Sequence, residues 1–300
     1  MKCAENLLDL YCDVDDFVKK FLPEWKKYLA SAGKIQRNRS TRMSESEIMA
    51  LLIHFQQSRY RDFKSYYLQH VLFYLKKEFP NALSYQRFVA LMPRVFVPLM
   101  SYLQSRKVDL DGFGFVDSTK LIVCHAKRTG NHKIFKQYAD VGMSSMGWFY
   151  GFKLHLICNH RGEIVECKIT PGNVNDLATM PQMTRGLLGK IFGDKGYISQ
   201  KLFNELFQRG LNLVTGIKKN MKNKLMPLFD KIMLRKRSLI ESINNQLKNV
   251  FQIEHTRHRS PINGFINILS ALTAYTHHKN KPSLNLTKEQ ENFMRLNQSA

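Results

Sequence analysis

The sequence predicts an α/β fold, a mixed β-sheet flanked by helices, preceded by an all-helical N-terminal domain. Through residues 1–100, apolar and aromatic side chains recur at steps of three and four, which is the period of a helix. From about Asp109 the pattern changes to short apolar runs bounded by turns, which indicate strands. Helical stretches then separate the later strands, as in an α/β layer architecture. We therefore expect a helical region (1–108), an α/β domain (109–280) and a polar tail (281–300).

The N-terminal region contains several helices with recognisable ends. Pro23 is expected to open a new turn after the first helix. Ser44 and Glu47 have the spacing of a capping box at the start of a long amphipathic helix. Ser84 opens another helix, whose predicted buried face consists of Leu91, Val95, Leu99 and Leu103. Short helices on a basic background fit either a helix-turn-helix array that reads DNA or a plain helical bundle, and the local pattern does not separate the two.

The first strands are predicted after residue 112. Residues 113–116 are an apolar run that ends at Asp117, and residues 121–123 are a second run. Asp140, which precedes Gly142, is expected in a loop. The first three strands of this region are expected to be joined by short turns.

A hairpin is predicted next. Residues 150–156 alternate in polarity, which is the period of a half-buried strand. Its polar side would carry Gly151, Lys153 and His155. A turn at 159–162 joins this strand to a second one over 165–169.

Helices and strands alternate through the rest of the chain. The predicted helices cover about 175–186, 199–208, 235–251 and 261–276. The predicted strands between them cover 190–193 and 211–217. Gly210 is expected to close the second of these helices. Asp176 is interpreted as an acid of a helix N-terminus or as an organiser of a site, rather than as a metal ligand.

Composition excludes several classes of protein. Lys and Arg number 46 against 24 Asp and Glu, a formal net charge of +22, and 44% of residues are hydrophobic. That hydrophobic content argues against global disorder. The sequence contains no apolar window of about 18 residues, so no membrane span is predicted. The five cysteines lack paired spacing, so a disulfide scaffold is disfavoured and a reduced cytoplasm is expected.

The positive charge is concentrated late in the chain. Between Ile217 and Arg259 there are eleven Lys and Arg residues and three acids. The basic stripe consists of Lys218, Lys219, Lys222, Lys224, Lys231, Arg235, Lys236 and Arg237. One interpretation is an ordinary solvated surface. The other, which the density of charge favours, is a surface for a phosphate backbone, where neutralised phosphates add affinity by counterion release.

Three acids are positioned as the ligands of a metal site would be. Asp117 ends the first strand, Asp194 ends a later strand, and Glu241 is isolated within the basic helix. Taken singly, each is equally an ordinary strand-end or surface carboxylate. Together they supply the oxygen ligands that Mg²⁺ prefers, and two such ions about 4 Å apart can drive phosphoryl transfer.

The late helix places polar groups on one face. Arg237, Glu241, Asn244 or Asn245, and Lys248 follow one another at steps of three or four. The alternative is a simple ion pair of Arg237 with Glu241. Zinc is disfavoured because no two cysteines have the close spacing of a zinc site. The sequence also lacks a serine elbow, a Walker loop and a dinucleotide fingerprint.

These motifs resemble those of the DDE transposases of bacterial insertion sequences, whose catalytic domain has the ribonuclease H-like fold. The resemblance covers roughly residues 110–278. It rests on Phe115-Val116-Asp117-Ser118-Thr119, on Gly193-Asp194-Lys195-Gly196-Tyr197, and on the Arg-x3-Glu-x6-Lys spacing of Arg237, Glu241 and Lys248. A Tyr often precedes that Arg by three positions in the family. Here the position is Leu234, so the role of the Tyr is not carried over.

The resemblance implies a mechanism. Asp117, Asp194 and Glu241 would be catalytic and would hold two Mg²⁺ ions, with Mn²⁺ as a substitute. Water would cut a strand to leave a 3′-OH, which would attack target DNA by transesterification. The expected DNA-binding residues are Arg237, Lys248, Lys218, Lys219, Arg235 and Lys236. The N-terminal helices would bind terminal inverted repeats, a homodimer would pair the two ends, and the protein would be cytoplasmic and associated with the nucleoid.

Two other functions fit the same sequence. A metal-dependent nuclease of this fold would share the acidic site and lack strand transfer. A non-enzymatic DNA-binding regulator would use the N-terminal helices alone, although converging carboxylates would bring it no advantage near phosphates.

Overall fold

The computed structural model describes residues 2–34, 41–144, 147–218, 221, 225–254 and 258–286. The chain divides into two compact units. The first comprises Met1–Arg106 and Leu247–His278, and the second comprises Lys107–Gln246 and Lys279–Ala300. The division near residue 107 is close to the boundary that the sequence suggests, but residues 247–278 group with the N-terminal helices.

Helices and strands follow in the order expected of an α/β chain with a helical N-terminal region. The helices are α1 (Lys2–Ser31), α2 (Glu45–Gln57), α3 (Phe63–Ser65), α4 (Tyr85–Leu91), α5 (Phe96–Ser105), α6 (Asp176–Met183), α7 (Gln200–Gln208), α8 (Leu228–Arg235), α9 (Ser238–Asn249) and α10 (Pro261–Thr276). The strands are β1 (Phe113–Cys124), β2 (Asp140–Ser144), β3 (Gly147–Asn159), β4 (Ile164–Pro171), β5 (Gly189–Gly193) and β6 (Leu211–Thr215).

The first unit is helical, as predicted. The prediction of a new turn at Pro23 is wrong, because α1 continues through that proline. Stacked rings bridge the position, with Phe21 and Trp25 centroids 6.2 Å apart. The capping box at α2 is confirmed: Ser44 Oγ accepts from the Glu47 amide at 3.1 Å, and the Glu47 carboxylate accepts from the Ser44 amide at 2.6 Å.

The helix predicted after Ser84 is divided. A 3₁₀ turn over Met92–Val95 separates α4 from α5, consistent with Pro93, which has no amide hydrogen to donate. The predicted face is nevertheless buried, at Leu91, Val95, Leu99 and Leu103. A π-helical segment, Tyr66–Tyr74, follows α3 and had no signal in the sequence. Helix α10 packs on α2 and α5, where the Gln56 amide donates to Asn267 Oδ1 at 2.8 Å.

The second unit is built on a mixed sheet, which confirms the predicted fold class. Its strand order is β2-β3-β1-β5-β6, and β4 also pairs with β3. Strand β3 is antiparallel to β1, β2 and β4, whereas β5 is parallel to β1 and β6. Strand β2 pairs with the first half of β3 and β4 with the second half.

Helices cover both faces of this sheet. On one face, Val116 and Ile157 join Met180 of α6 and Leu206 of α7 in a buried cluster. On the other, the ring of Phe229 in α8 lies 5.7 Å from Phe113 and 6.0 Å from Phe192. The central strand β1 is therefore covered by helices on both of its faces.

This burial corrects several predictions. The two apolar runs before and after Asp117 are one strand, so Asp117 lies in the middle of β1 and not at a strand end. His155 is 1% exposed, so β3 is not half-buried. Asp140 begins strand β2 and is not in a loop. The late helix begins at Ser238, and Arg235 ends the preceding helix.

Other predicted elements are confirmed. The turn at 159–162 joins β3 to β4, and Asn175 caps α6 with Asp176 in its first turn. Ser199 caps α7. The described cysteines, Cys12, Cys124, Cys158 and Cys167, are free thiols. Among the described residues, no helix has the length and apolar character needed to cross a membrane.

Candidate active site

Two of the predicted acids lie side by side because of the parallel register of their strands. Phe115 of β1 pairs with Phe192 of β5. Asp117 and Asp194 each follow two residues later, so the parallel register brings them to the same level of the sheet. Neighbouring strands are about 4.8 Å apart. The sheet therefore brings together two carboxylates that are 77 residues apart in the sequence.

Helix α9 adds polar partners to Asp117. Arg237, which immediately precedes the helix, places Nη2 3.7 Å from Asp117 Oδ1. The amide of Asn244 donates to Asp117 Oδ2 at 3.2 Å. Ile240 and Ile243 are completely buried on the adjacent stripe of the helix. Their burial fixes the rotation of α9, so that Arg237 and Asn244 are directed at β1.

The charges of the other two predicted acids act on Asp117. The pKa of Asp117 is raised to about 6, mainly by burial; the charges of Asp194 and Glu241 add to the rise, and Arg237 and the Ser118 amide oppose it. The negative charge at Asp117 is therefore incompletely compensated by the protein. Glu241 itself is exposed.

The donor atoms fit a hard divalent cation. Within the described part of the chain, no three acidic, histidine or cysteine side chains already stand close enough together to enclose an ion. The chemistry is nonetheless that of oxygen ligands, since the charges of Asp194 and Glu241 both act on the Asp117 carboxylate. Asn244 Oδ1 is buried and lacks a hydrogen-bond partner in the described structure, which leaves an oxygen available to a ligand or its water.

The segment after β5 is shaped by its two glycines. Asp194 Oδ1 accepts from the Gly196 amide at 2.8 Å and so caps the short 3₁₀ turn Lys195–Tyr197. A Cβ on Gly193 would come within 3.2 Å of Val116 and 3.1 Å of Tyr197, so these side chains would have to move by a few tenths of an ångström to admit it. Burial and the charges of Asp176, Asp117 and Asp194 raise the pKa of Tyr197.

The predicted DNA-binding cations have different surroundings. Lys218, Arg235 and Lys236 are exposed. Arg237 pairs with Asp117 instead of with Glu241, the alternative left open by the sequence. Lys248, on the last turn of α9, belongs to the first unit and pairs with Glu254 at 3.4 Å. The predicted residues Lys219, Lys222 and Lys224 lie outside the described residues.

Two polar features were missed or left undecided by the sequence. The structure selects Asn244 over Asn245, because Asn244 is the buried one. On the other face of the sheet, Lys153 Nζ donates to Asp176 Oδ1 at 3.1 Å and to the Val174 carbonyl at 2.9 Å. The alternation of polar and apolar residues in β3 predicts that Lys153 lies on the polar side of the strand. It does not indicate Asp176 as the partner, because the two residues are 23 positions apart in the sequence.

The chain is similar to known proteins in sequence and in structure. A family model described as "Transposase DDE domain" matches residues 107–261, just over half of the chain. A cryo-EM structure of the piggyBac transposase synaptic complex with hairpin DNA is similar with a TM-score of 0.46 and 10% identity, covering 90% of this chain and 75% of that chain. No curated protein matches the sequence.

Proposed function

This chain belongs to the transposase DDE-domain family, and from that premise we propose that it is the transposase of a bacterial insertion sequence. In this proposal it binds the terminal inverted repeats of its element, cleaves DNA strands there, and joins the 3′-OH ends to target DNA. The observation that carries the proposal is the position of Asp194, which directly follows β5, beside Asp117 of the neighbouring parallel strand β1, where Arg237 and Asn244 contact Asp117.

The acids are proposed to hold Mg²⁺, or Mn²⁺ as a substitute, as two ions per site. When bound, such ions activate the attacking oxygen and stabilise the leaving oxygen of a phosphodiester. Asp117, Asp194 and Glu241 are the proposed ligands. Asn244 would hold Asp117 in one orientation, since its amide already donates to Oδ2.

The cations are proposed to position DNA over the acids. Arg237 reduces the charge repulsion at Asp117, because its guanidinium is the largest stabilising influence on that carboxylate. The exposed Lys218, Arg235 and Lys236 are proposed to contact phosphates, together with Lys219 and Lys248 from the sequence pattern. The first unit would bind the inverted repeats, and a homodimer would hold two ends together.

Separate alanine variants of the three acids test the proposal. We expect Asp117→Ala, Asp194→Ala and Glu241→Ala each to lose at least about 100-fold in Mg²⁺-dependent strand cleavage while binding DNA normally. Three proposed ligands of one site should act as a unit. The measurement uses the DNA flanking the gene as a labelled substrate, with cleavage and 3′-end joining followed on gels.

Glu205→Ala is the matched control, because Glu205 is a carboxylate on α7 that pairs with Arg209. It should retain wild-type cleavage. Retained cleavage in any of the three site variants would remove that residue from the site. A wild-type chain that hydrolyses pre-cut 3′-OH ends without joining them to a second duplex would identify a nuclease instead.

A further inference from the structure

The hairpin of β2 and β3 carries an apolar face that the proposed site does not use. In this ribbon, defined as residues 140–144 and 147–151, Met143 pairs with Trp148 across the strands. Both side chains are 66% exposed, and Val141 on the same face is 38% exposed. A large indole at that exposure is costly in water unless it serves a contact.

The opposite face of the ribbon fixes it in place. Phe149 is 3% exposed, and a Cβ on Gly142 would overlap the carbonyl oxygen of Gly172. The backbone of β2 therefore lies directly against the end of β4. This anchoring makes the exposed face a rigid surface rather than a loose loop.

A basic segment packs beside the exposed face. The ring of His132 lies 5.8 Å from Tyr150, which is on the same side of β3 as Trp148, and Phe135 lies 5.5 Å from Phe152. This segment carries four exposed cations, Lys127, Arg128, Lys133 and Lys136. Between residues 125 and 151 the sequence has one acid, Asp140, which accepts hydrogen bonds from Asn173 and from Val141.

The ribbon continues the face of the sheet that carries Asp117. Asp117 pairs with Leu156 of β3, and Trp148 lies eight residues before Leu156, on the same face of that strand. Eight residues of a strand span about 27 Å. The end of the ribbon is thus separated from the acidic site by less than one turn of a DNA duplex, which is about 34 Å.

We propose that the ribbon enters the major groove of the DNA duplex within about one helical turn of the phosphate that is cut, with Trp148 and Met143 against base edges and the four cations on the phosphates. The proposal rests on the proposed function. A two-stranded β-ribbon fits the major groove of B-DNA, where apolar side chains can contact base edges such as the thymine methyl group. The net positive charge of the adjoining segment complements the duplex and opposes another basic protein surface.

Fluorescence tests the contact directly, because the chain has two Trp residues. In the Trp25→Phe variant, Trp148 is the sole indole. We expect its emission to be quenched saturably by a duplex of about three helical turns, and to be unchanged by heparin, a polyanion without bases. Binding of a labelled duplex is followed separately by fluorescence anisotropy. The proposal is overturned if the duplex binds while Trp148 emission stays unchanged, or if heparin quenches the emission equally.

A substitution measures the energetic weight of the contact. We expect Trp148→Ala to raise the Kd for the same duplex at least about five-fold, because its contact with the base edges is lost. Phe207→Ala is the matched control, since Phe207 is a 61% exposed ring on α7 and should leave the Kd within about two-fold. An unchanged Kd in Trp148→Ala, or a loss of dimer alone by sedimentation, would show that the ribbon does not contact DNA.

The two proposals fail separately. If the wild-type chain shows no divalent-dependent cleavage but Trp148 responds to duplex as expected, the proposed function is wrong and the ribbon contact stands. If the chain cleaves and Trp148 does not respond, the ribbon contact is wrong and the proposed function stands.

Discussion

At the scale of the residue, Asp117 is the most constrained group of the site. It lies within a strand, accepts a hydrogen bond from Asn244 and pairs with Arg237. Its pKa is nevertheless raised to about 6, since burial and neighbouring acids outweigh those contacts. A carboxylate held at such a cost to stability is typical of a functional position.

The raised pKa predicts a pH dependence of stability. The folded chain binds the Asp117 proton more tightly than the unfolded chain, whose Asp has the ordinary pKa of 3.8. The contribution of Asp117 to the free energy of unfolding is therefore fully present below pH 3.8 and is lost as the pH rises through about 6. The free energy of unfolding of wild type minus that of Asp117→Asn should fall by about 1–3 kcal/mol between about pH 4 and pH 7.5.

Urea denaturation without divalent ions, at each pH, measures this difference. Using Asp117→Asn as the reference cancels the titration of groups that do not interact with Asp117. A difference that is independent of pH, or that grows as the pH rises, would contradict the raised pKa.

Asn244 gives a second prediction at this scale. Asn244→Ala removes the donor to Asp117 Oδ2, so cleavage should fall about 10- to 100-fold, as for groups that orient ligands. The neighbouring variant Asn245→Ala, at an exposed position, should stay within about two-fold. The divalent-ion concentration for half-maximal cleavage should rise in Asn244→Ala alone; equal effects of the two variants would mean that Asn244 has only a structural role.

At the scale of the element, local caps and packing determine where each segment begins and which way it faces. Helix α2 is the clearest case, because both halves of its capping box are formed. Helix α9 shows the second influence: its buried isoleucines decide that Arg237 and Asn244 reach Asp117.

The α2 cap predicts a measurable loss of stability. Ser44→Ala leaves the Glu47 amide without its acceptor and should lower the free energy of unfolding by about 1 kcal/mol. Ser44→Asp, which keeps a capping oxygen, should restore most of it. Thermal unfolding followed by circular dichroism measures the stability of both variants. If Ser44→Ala is as stable as the wild type, water replaces the capping hydroxyl.

At the scale of the whole molecule, the charge of +22 is the dominant property. Charge alone gives affinity for any polyanion, so its placement matters more than its sum. Helices α8 and α9 cover the face of the sheet that carries Asp117, whereas α6 and α7 cover the face that carries Val116. The two faces should therefore contribute differently to DNA binding.

Salt dependence measures that difference. Arg235→Ala with Lys236→Ala should reduce the slope of log K against log salt concentration by about 2, since each phosphate contact contributes about 0.9. Arg185→Ala with Lys201→Ala removes the same charge from exposed positions on the opposite side of the sheet and should change the slope by less than about 0.5. Equal changes would show that DNA binding uses overall charge and no particular face.

The sequence by itself determined the change from helices to strands near residue 109, the capping box at Ser44, the hairpin turn at 159–162, and the helical face shared by Arg237 and Glu241. These are local patterns, and local physics fixes them: periodicity, caps and turn residues act over a few positions. The resemblance in motifs likewise rests on short spacings, and the family match over residues 107–261 confirmed it.

Only the tertiary structure decided the rest. Three features depend on partners that are distant in the sequence. They are the parallel register that brings Asp194 beside Asp117, the choice of Asn244 over Asn245, and the burial of His155. Asp117 was expected at a strand end because a charged residue inside an apolar run usually ends it. It continues the strand because Arg237 and Asn244, more than 100 residues later, compensate part of its burial.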